Sequence, residues 1–110
     1  MSTSSYIQVQ TTLADEESAR RIASEIVSRR LAACVQVTVC HSIYHWQGKI
    51  EHDDEFLCVM KTRTDFFPEL CRAIEELHPY EVAEIIALPL VNGSERYLRW
   101  IDKELRQKQA

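Results

Sequence analysis

Five consecutive apolar residues at positions 56–60 (FLCVM) place the strongest constraint on how this chain folds. Successive side chains of a β-strand point to opposite faces, so a strand without polar residues is apolar on both faces. Residues 84–90 (EIIALPL) have nearly the same character, and Val35, Val37 and Val39 give a third strand one β-branched face. A sheet that contains these strands needs apolar cover on both sides.

Capping residues and apolar residues at helical spacing predict three helices. Asp15 stands where an N-cap belongs and is followed by an apolar stripe. A second helix begins at Thr64 or Asp65 and ends at His78, because a residue before proline is pushed out of the helical region. Ser94 caps a third helix near the C-terminus. The strands are predicted at residues 6–13, 33–46, 50–62 and 84–90.

The predicted order is β-α-β-β-α-β followed by a C-terminal helix, which is the ferredoxin-like plan of the α+β class. In that plan both long helices cover one face of an antiparallel sheet and leave the second face open. The C-terminal helix covers part of the second face, and another copy of the chain is the most economical cover for the rest. We therefore expect an oligomer of a single domain over residues 1–110, with a disordered polar tail at residues 1–5.

The second and third strands are long enough to form a hairpin arm. Residues 47–49 make the turn, and the polar residues 51–55 (EHDDE) are expected to project beyond the sheet. Tyr44 and Trp46 are large side chains near the end of this arm. Interface anchoring explains such exposed aromatic residues better than chance exposure does.

Charge and hydropathy exclude several classes of protein. The formal net charge is −4, whereas a nucleic-acid binder usually presents a basic face. The chain has no apolar run near the roughly 20 residues of a membrane span, and residues 1–5 do not resemble a signal peptide, so we expect a cytoplasmic protein. In that compartment cysteines stay reduced and are most often buried. The cysteines are Cys34, Cys40, Cys58 and Cys71.

The motifs of common enzymes are missing from the sequence. With only two glycines, the chain cannot build a glycine-rich phosphate cradle. No cysteine has an obvious electropositive setting that would activate it as a nucleophile. We expect neither an enzyme nor an obligatory cofactor.

Several metal-binding residue types lie close together between Cys40 and Asp54. His41 and His45 would chelate one ion on a helix, but on a strand they are about 13 Å apart. Pairing across the hairpin can still bring His45 toward His52. The alternative is that these are solvated polar residues of a projecting arm, because scattered ligands rarely meet. His78 likewise allows two interpretations. It is either a histidine favoured by the dipole at a helix C-terminus or a residue that binds a ligand.

Several motifs in order along the chain resemble those of the CutA divalent-cation-tolerance family. The similarity extends from about Ile7 to Leu105. The motifs are residues 30–34 (RLAAC), residues 43–50 (IYHWQGKI), residues 61–62 (KT), residues 78–81 (HPYE), residues 84–86 (EII) and residues 97–100 (YLRW).

This resemblance implies a ferredoxin-like fold and a homotrimer in which the hairpin arms reach onto neighbouring subunits. It also implies copper binding, through a cysteine of the first strand and two histidines before the Pro-Tyr motif. Here the corresponding residues are Thr11, Leu77 and His78, so a soft thiolate and one histidine are missing. We expect weak binding of Cu²⁺ or another divalent cation at most, with His78 as the first candidate ligand and Cys34 as the second.

Three functions remain open at this point. The first is a trimeric CutA-like protein linked to divalent-metal tolerance. The second is a sensor similar to the PII signalling proteins, which binds a small molecule in clefts between subunits. The third is a structural module that docks or stabilises a partner. The candidate cleft and interface residues are Tyr44, Trp46, Lys49, Tyr80 and Glu81.

Overall fold

The computed structural model describes residues 5–107. The predicted tail at residues 1–5 lies outside this range except for Ser5. The carbonyl of Ser5 accepts hydrogen bonds from the backbone N–H of Thr64 at 2.8 Å and from its hydroxyl at 3.0 Å, so this one residue is anchored. The strands are β1 (Tyr6–Leu13), β2 (Cys34–Trp46), β3 (Lys49–Arg63) and β4 (Ile86–Pro89), and the helices are α1 (Glu16–Ser28), α2 (Phe67–Leu77) and α3 (Glu95–Glu104).

The strands form one four-stranded antiparallel sheet in the order β2-β3-β1-β4. The first strand, β1, is central and pairs with β3 on one side and β4 on the other. This arrangement confirms the predicted α+β class and the ferredoxin-like order of elements. No helix within residues 5–107 is long and apolar enough to cross a membrane.

Helices α1 and α2 cover one face of the sheet. Asp15 caps α1 as predicted, because its carboxylate accepts the Ser18 backbone N–H at 2.9 Å. Alternate residues of β1 and β3, such as Val9 and Met60, are fully buried beneath these helices. The core therefore lies between the helix layer and one face of the sheet, as the alternation of β1 predicts.

The second face of the sheet is largely open. Residues directly opposite each other in an antiparallel ladder share a face, so Val59 and Leu57 lie on the face opposite Met60. On β4, Ile86 and Leu88 belong to this face and are 47% and 39% exposed. Residues 56–60 of β3 and strand β4 are therefore apolar on both sides, as the run at residues 56–60 indicates, whereas β1 presents Gln8 and Gln10 on this second face.

Helix α3 closes only one corner of the second face. Asp102 accepts a hydrogen bond from the Tyr6 hydroxyl at 2.6 Å and pairs with Arg63 at 2.9 Å. Tyr6 and Arg63 are ladder partners with side chains on the second face. Ile101 and Leu105 are buried in the core cluster and hold α3 against the end of the sheet.

The hairpin arm projects as predicted. Residues 49–55 pair with β2 but not with β1, so this part of the hairpin has no other strand from the described residues beside it. The turn has two residues, Gln47 and Gly48, instead of the three predicted. Their φ values of 51° and 80° are the positive pair that a type I′ turn requires.

Two predicted elements differ from the observed ones. Helix α2 begins at Phe67 after a 3-10 turn at Thr64–Phe66, and Asp65 forms an ion pair with Arg63 at 3.0 Å instead of capping the helix. Strand β4 is shorter than the strand predicted at residues 84–90: it has four residues, all exposed, on the edge of the sheet. Pro89 explains the edge position because it cannot donate a ladder hydrogen bond.

The four cysteines are unpaired thiols, but only one is buried as predicted. Burial raises the pKa of Cys58 to about 11, which makes it an unreactive core residue. The others are half-buried because they lie at strand positions on the open face or near the surface of α2. They are Cys34, Cys40 and Cys71.

Candidate functional site

A groove of about 760 Å³ lies where the hairpin arm leaves the sheet. One wall comes from β2 and the other from residues 80–84, in the loop between α2 and β4. A volume of this size falls within the range of small-molecule sites. The lining residues are Thr12, Ser42, Ile43, Tyr44, His45, Trp46, Glu55, Tyr80, Glu81, Val82, Ala83 and Glu84.

A buried carboxylate lies at the base of the groove. Glu55 is only 6% exposed and accepts a hydrogen bond from the Tyr80 hydroxyl at 2.9 Å. Burial and this bond to a carboxylate raise the pKa of Tyr80, so the phenol stays protonated and keeps donating. The pair therefore fixes the loop that follows α2 against the first residues of the arm.

A second tyrosine–carboxylate pair lies further along the arm. The Tyr44 hydroxyl donates to Asp53, and this bond raises the pKa of Tyr44 to about 12. Trp46 lies beyond it, 41% exposed, on the same face of the arm. The groove thus combines aromatic surfaces with carboxylates, a combination that suits a cationic or hydroxyl-bearing ligand.

His78 fixes the loop from the other side. Its Nε2–H donates to the Thr12 carbonyl at 2.7 Å, and its Nδ1 accepts the Tyr80 backbone N–H at 3.1 Å. Both ring nitrogens are therefore occupied in a side chain that is 8% exposed. Burial lowers the pKa of His78, so the ring is neutral in this setting.

The groove brings together four of the five residues that the sequence indicated for a cleft. Tyr44, Trp46, Tyr80 and Glu81 all line it. Lys49, the first residue after the turn, does not line the groove, although it pairs with Trp46 across the hairpin.

Sequence reasoning missed Glu55, the buried carboxylate of the groove. Its neighbours in the polar run 51–55 are all more exposed, so composition gave no sign of its burial. The hairpin register was the available signal, because it places Glu55 opposite Cys40 where the arm leaves the sheet.

The residues at the family's copper positions do not form a ready metal site. Thr11 is fully buried with a hydroxyl that has no hydrogen-bond partner among residues 5–107, and the side chain of Leu77 has no atom that can bind a metal. A metal at His78 would have to displace one of its two hydrogen bonds. His78 as a ligand stays a prediction.

Cys34 and His78 lie at different ends of the sheet. Cys34 pairs with Lys61, which is opposite Gln8, whereas His78 contacts Thr12 four residues further along β1. Four residues of strand span about 13 Å. The two predicted ligands are therefore too far apart to bind one ion within a chain.

The hairpin register places both His41 and His45 diagonally across from His52. His45 is opposite Ile50, and His52 is opposite Ile43. The ring that approaches His52 belongs to His41, at 6.2 Å between centroids, and not to His45 as the sequence indicated. Within residues 5–107 no group of three or more His, Cys, Asp or Glu side chains is placed to hold a metal ion.

Comparison with known proteins identifies the family. The family model described as CutA1 divalent ion tolerance protein matches residues 7–104. The divalent-cation tolerance protein CutA of Thermus thermophilus is 47% identical over 91 residues, which cover 82% of this chain and 88% of that protein. Protein CutA of Mus musculus is 46% identical over 91 residues, again 82% of this chain but only 51% of the mouse protein. The chain thus spans about half the length of that mammalian relative.

Solved structures agree with the fold. The crystal structure of CutA1 from Oryza sativa superposes with a TM-score of 0.92 at 37% identity, covering 97% of this chain and 100% of the rice chain. The periplasmic divalent cation tolerance protein CutA of Archaeoglobus fulgidus gives a TM-score of 0.89 at 34% identity, covering 92% and 99% of the two chains. These matches confirm the family predicted from the sequence motifs. The chain belongs to the CutA1 family of divalent ion tolerance proteins.

Proposed function

We propose that this chain acts in divalent-cation tolerance as a non-catalytic homotrimer. The single observation that carries the assembly is the apolar patch on the open face of the sheet, formed by Leu57 and Val59 of β3 and by Ile86 and Leu88 of the exposed edge strand. In a monomer this apolar surface would be exposed to water, which is unfavourable in free energy. Contact with a partner subunit removes the surface from water. Membership of the family supports the role in cation tolerance.

The arm supports a closed ring of subunits. The molecule measures 48 × 26 × 21 Å, so its long axis greatly exceeds the other two. Along the arm Ile43 and Ile50 are 62% and 61% exposed, which is unusual for an element surrounded by solvent. An arm of one subunit that lies on the face of the next makes a head-to-tail contact, and three such contacts close a cyclic trimer.

Light scattering on the purified chain tests the assembly. We expect a mass three times the 12.8 kDa of the chain. Leu88→Asp places a charge on the open face and should shift the mass toward the monomer. Val27→Asp is the matched control, because Val27 is 41% exposed on α1 in the helix layer and should leave the trimer intact. A wild-type monomer, or equal loss in both variants, would contradict this interface.

Weak binding of Cu²⁺ or another divalent cation is the second part of the proposal. The description of the Thermus relative as a divalent-cation tolerance protein supports it. The candidate ligands are those that the sequence predicts, His78 and Cys34. Calorimetric titration of Cu(II) and Zn(II) into wild type, His78→Ala and Cys34→Ser tests both residues. Binding that is unchanged by His78→Ala would remove that residue from the site.

The physiological role is tested in cells. A bacterial strain without its own family member should grow better in added copper or zinc when it expresses this chain. Equal growth with and without the chain would argue against cation tolerance. Fractionation of the same cells tests the cytoplasmic location that we propose, in contrast to the periplasmic description of the Archaeoglobus protein.

A ligand-sensing role similar to that of PII proteins is the second candidate function. The observation that favours it is the groove of about 760 Å³ between the arm and the loop after α2. A ligand that binds there should raise the melting temperature in proportion to its concentration and affinity. A screen of nucleotides, small acids and amines against wild type and Tyr80→Phe tests this role. If neither ligands nor metals bind and the trimer forms, the structural assembly module is the function that remains.

A further inference from the structure

The hairpin arm carries a pair of histidines that the family comparison does not assign. His41 on β2 and His52 on β3 lie on one face of the arm, at diagonal positions of the ladder. Their ring centroids are 6.2 Å apart and the ring planes are tilted by 46°. Two imidazoles that bind one ion through bonds of about 2.0–2.1 Å hold their centroids about 5–6.5 Å apart. The spacing therefore already matches a shared ion.

Asp54 fixes the orientation of one of these rings. Its carboxylate is 2.6 Å from Nδ1 of His41, and an ionised carboxylate can only accept, so Nδ1 carries the proton. Nε2 of His41 is then left with the lone pair that a metal needs. A carboxylate that holds the second nitrogen of a ligating histidine is the usual arrangement around protein-bound metals.

Stability does not explain this arrangement. The side chains of His41 and Asp54 are 58% and 78% exposed, and a polar contact with that much solvent around it contributes little to stability. Both rings are exposed in the single subunit, on the same face of the arm as Ile43 and Ile50. In the proposed trimer an ion bound there lies at the contact with the neighbouring subunit.

We propose that His41 and His52 form a divalent-cation site on the arm, with Asp54 as the positioning residue. Imidazole ligands favour Cu²⁺, Ni²⁺ and Zn²⁺, of which Cu²⁺ binds most tightly to a given set of nitrogens. Because residues 5–107 contain no three-ligand group, water or a neighbouring copy completes the coordination shell. The site deepens the proposed role in cation tolerance and rests on it for its physiological meaning.

Titration of Zn(II) and Cu(II) into the purified full-length chain tests the site. His41→Ala and His52→Ala should each weaken binding about tenfold or more, and Asp54→Asn about tenfold through loss of orientation. His45→Ala is the matched control: His45 also lies diagonal to His52 on this face, but the ring that approaches His52 is that of His41, so this substitution should change affinity less than twofold. Circular dichroism checks that each variant is folded.

Spectroscopy separates this site from His78. In histidine side-chain NMR spectra, Zn(II) should shift the ring signals of His41 and His52 at concentrations that leave those of His78 unchanged. Wild type that binds no Zn(II) or Cu(II), affinity unchanged in His41→Ala and His52→Ala, or an equal loss in His45→Ala would each overturn the proposal. Light scattering reports the trimer separately, so failure of the arm site is distinguishable from failure of the proposed function.

Discussion

The imidazole of His78 lies 2.7 Å from the carbonyl oxygen of Thr12, and this contact ties the end of α2 to the end of β1. The other ring nitrogen accepts the Tyr80 N–H at 3.1 Å. One neutral histidine thus satisfies two backbone groups and sets the start of the loop that forms a wall of the groove. The position of the groove depends on this side chain as much as on the strands.

Stability is expected to fall on acidification because of His78. Burial lowers the pKa of His78 below its ordinary value of 6.5. Just below pH 6.5 this histidine therefore binds a proton in the unfolded chain but stays neutral in the folded chain. The contribution is fully present above pH 6.5 and is lost as the pH falls toward the folded pKa. For one proton, the free energy of unfolding falls by at most about 1.4 kcal/mol for each pH unit. Glu55, the nearby carboxylate, opposes the shift without reversing it.

Urea unfolding at fixed protein concentration checks this pH dependence. His78→Gln keeps a donor for the Thr12 carbonyl but cannot titrate, so its stability should vary less between about pH 5 and 7.5 than that of wild type. His45→Gln removes an exposed histidine, and its free energy of unfolding should change with pH as steeply as that of wild type. A slope that is equal in His78→Gln and wild type would mean that another group titrates.

Thr11 and Thr62 are expected to respond to valine with opposite signs. Both are fully buried, but the Thr11 hydroxyl has no hydrogen-bond partner in the described part of the chain, whereas the Thr62 hydroxyl donates to the Leu31 carbonyl at 2.8 Å. Thr11→Val removes an unsatisfied polar atom and should raise the free energy of unfolding by about 1 kcal/mol. Thr62→Val leaves a carbonyl unpaired and should lower it by about 1–2 kcal/mol. Parallel urea titrations measure both, and a loss of stability in Thr11→Val would show a hidden partner.

Local chemistry was enough to predict most of the fold. Asp15 and Ser94 cap their helices as expected, and the alternation of β1 identifies its buried face. The breaking effect of Pro79 correctly places the end of α2. Each of these features depends on residues within a few positions in the chain, so the sequence pattern contains the whole cause.

The site depends on tertiary placement and was predicted less completely. A three-residue turn in place of the observed Gln47-Gly48 would move the hairpin register by one residue and place His52 opposite Tyr44 instead of Ile43. The partner of His52 therefore could not be read without the turn geometry. The side chain of His78 is buried because of β1, which lies 66 positions away in sequence, and no local pattern encodes that contact.

The two-residue turn gives a prediction about the arm. Gly48 has a φ of +80°, and a Cβ at this position would meet no atom within 4 Å, so the cost of Gly48→Ala is backbone strain alone. We expect a loss of about 1 kcal/mol. Gln47→Asn should stabilise the arm, because asparagine tolerates the positive φ of 51° better than glutamine does. Hydrogen exchange of arm amides measures both variants, and equal protection in the two would contradict the turn assignment.

Asp102 is expected to control the docking of α3. Its carboxylate binds both the Tyr6 hydroxyl and the Arg63 guanidinium, and the Arg63 side chain is only 14% exposed. Asp102→Ala leaves two half-buried donors without this partner and should cost about 1–3 kcal/mol. Ile101 and Leu105 of the same helix are buried, so a loosened α3 should expose Trp100 further. Quenchers in solution should then reduce the fluorescence of Trp100 more strongly than in wild type.

Arg99→Ala is the matched control for Asp102→Ala on the same helix. Arg99 pairs with Glu95 one turn earlier, and both side chains are at least 70% exposed, so solvent screens the interaction. Its loss should cost less than about 0.5 kcal/mol and leave the quenching of Trp100 unchanged. If the two variants lose equal stability, α3 is held by its apolar residues and not by the contacts of Asp102. A large difference between them assigns the docking energy to the contacts of Asp102 with Tyr6 and Arg63 on the second face of the sheet.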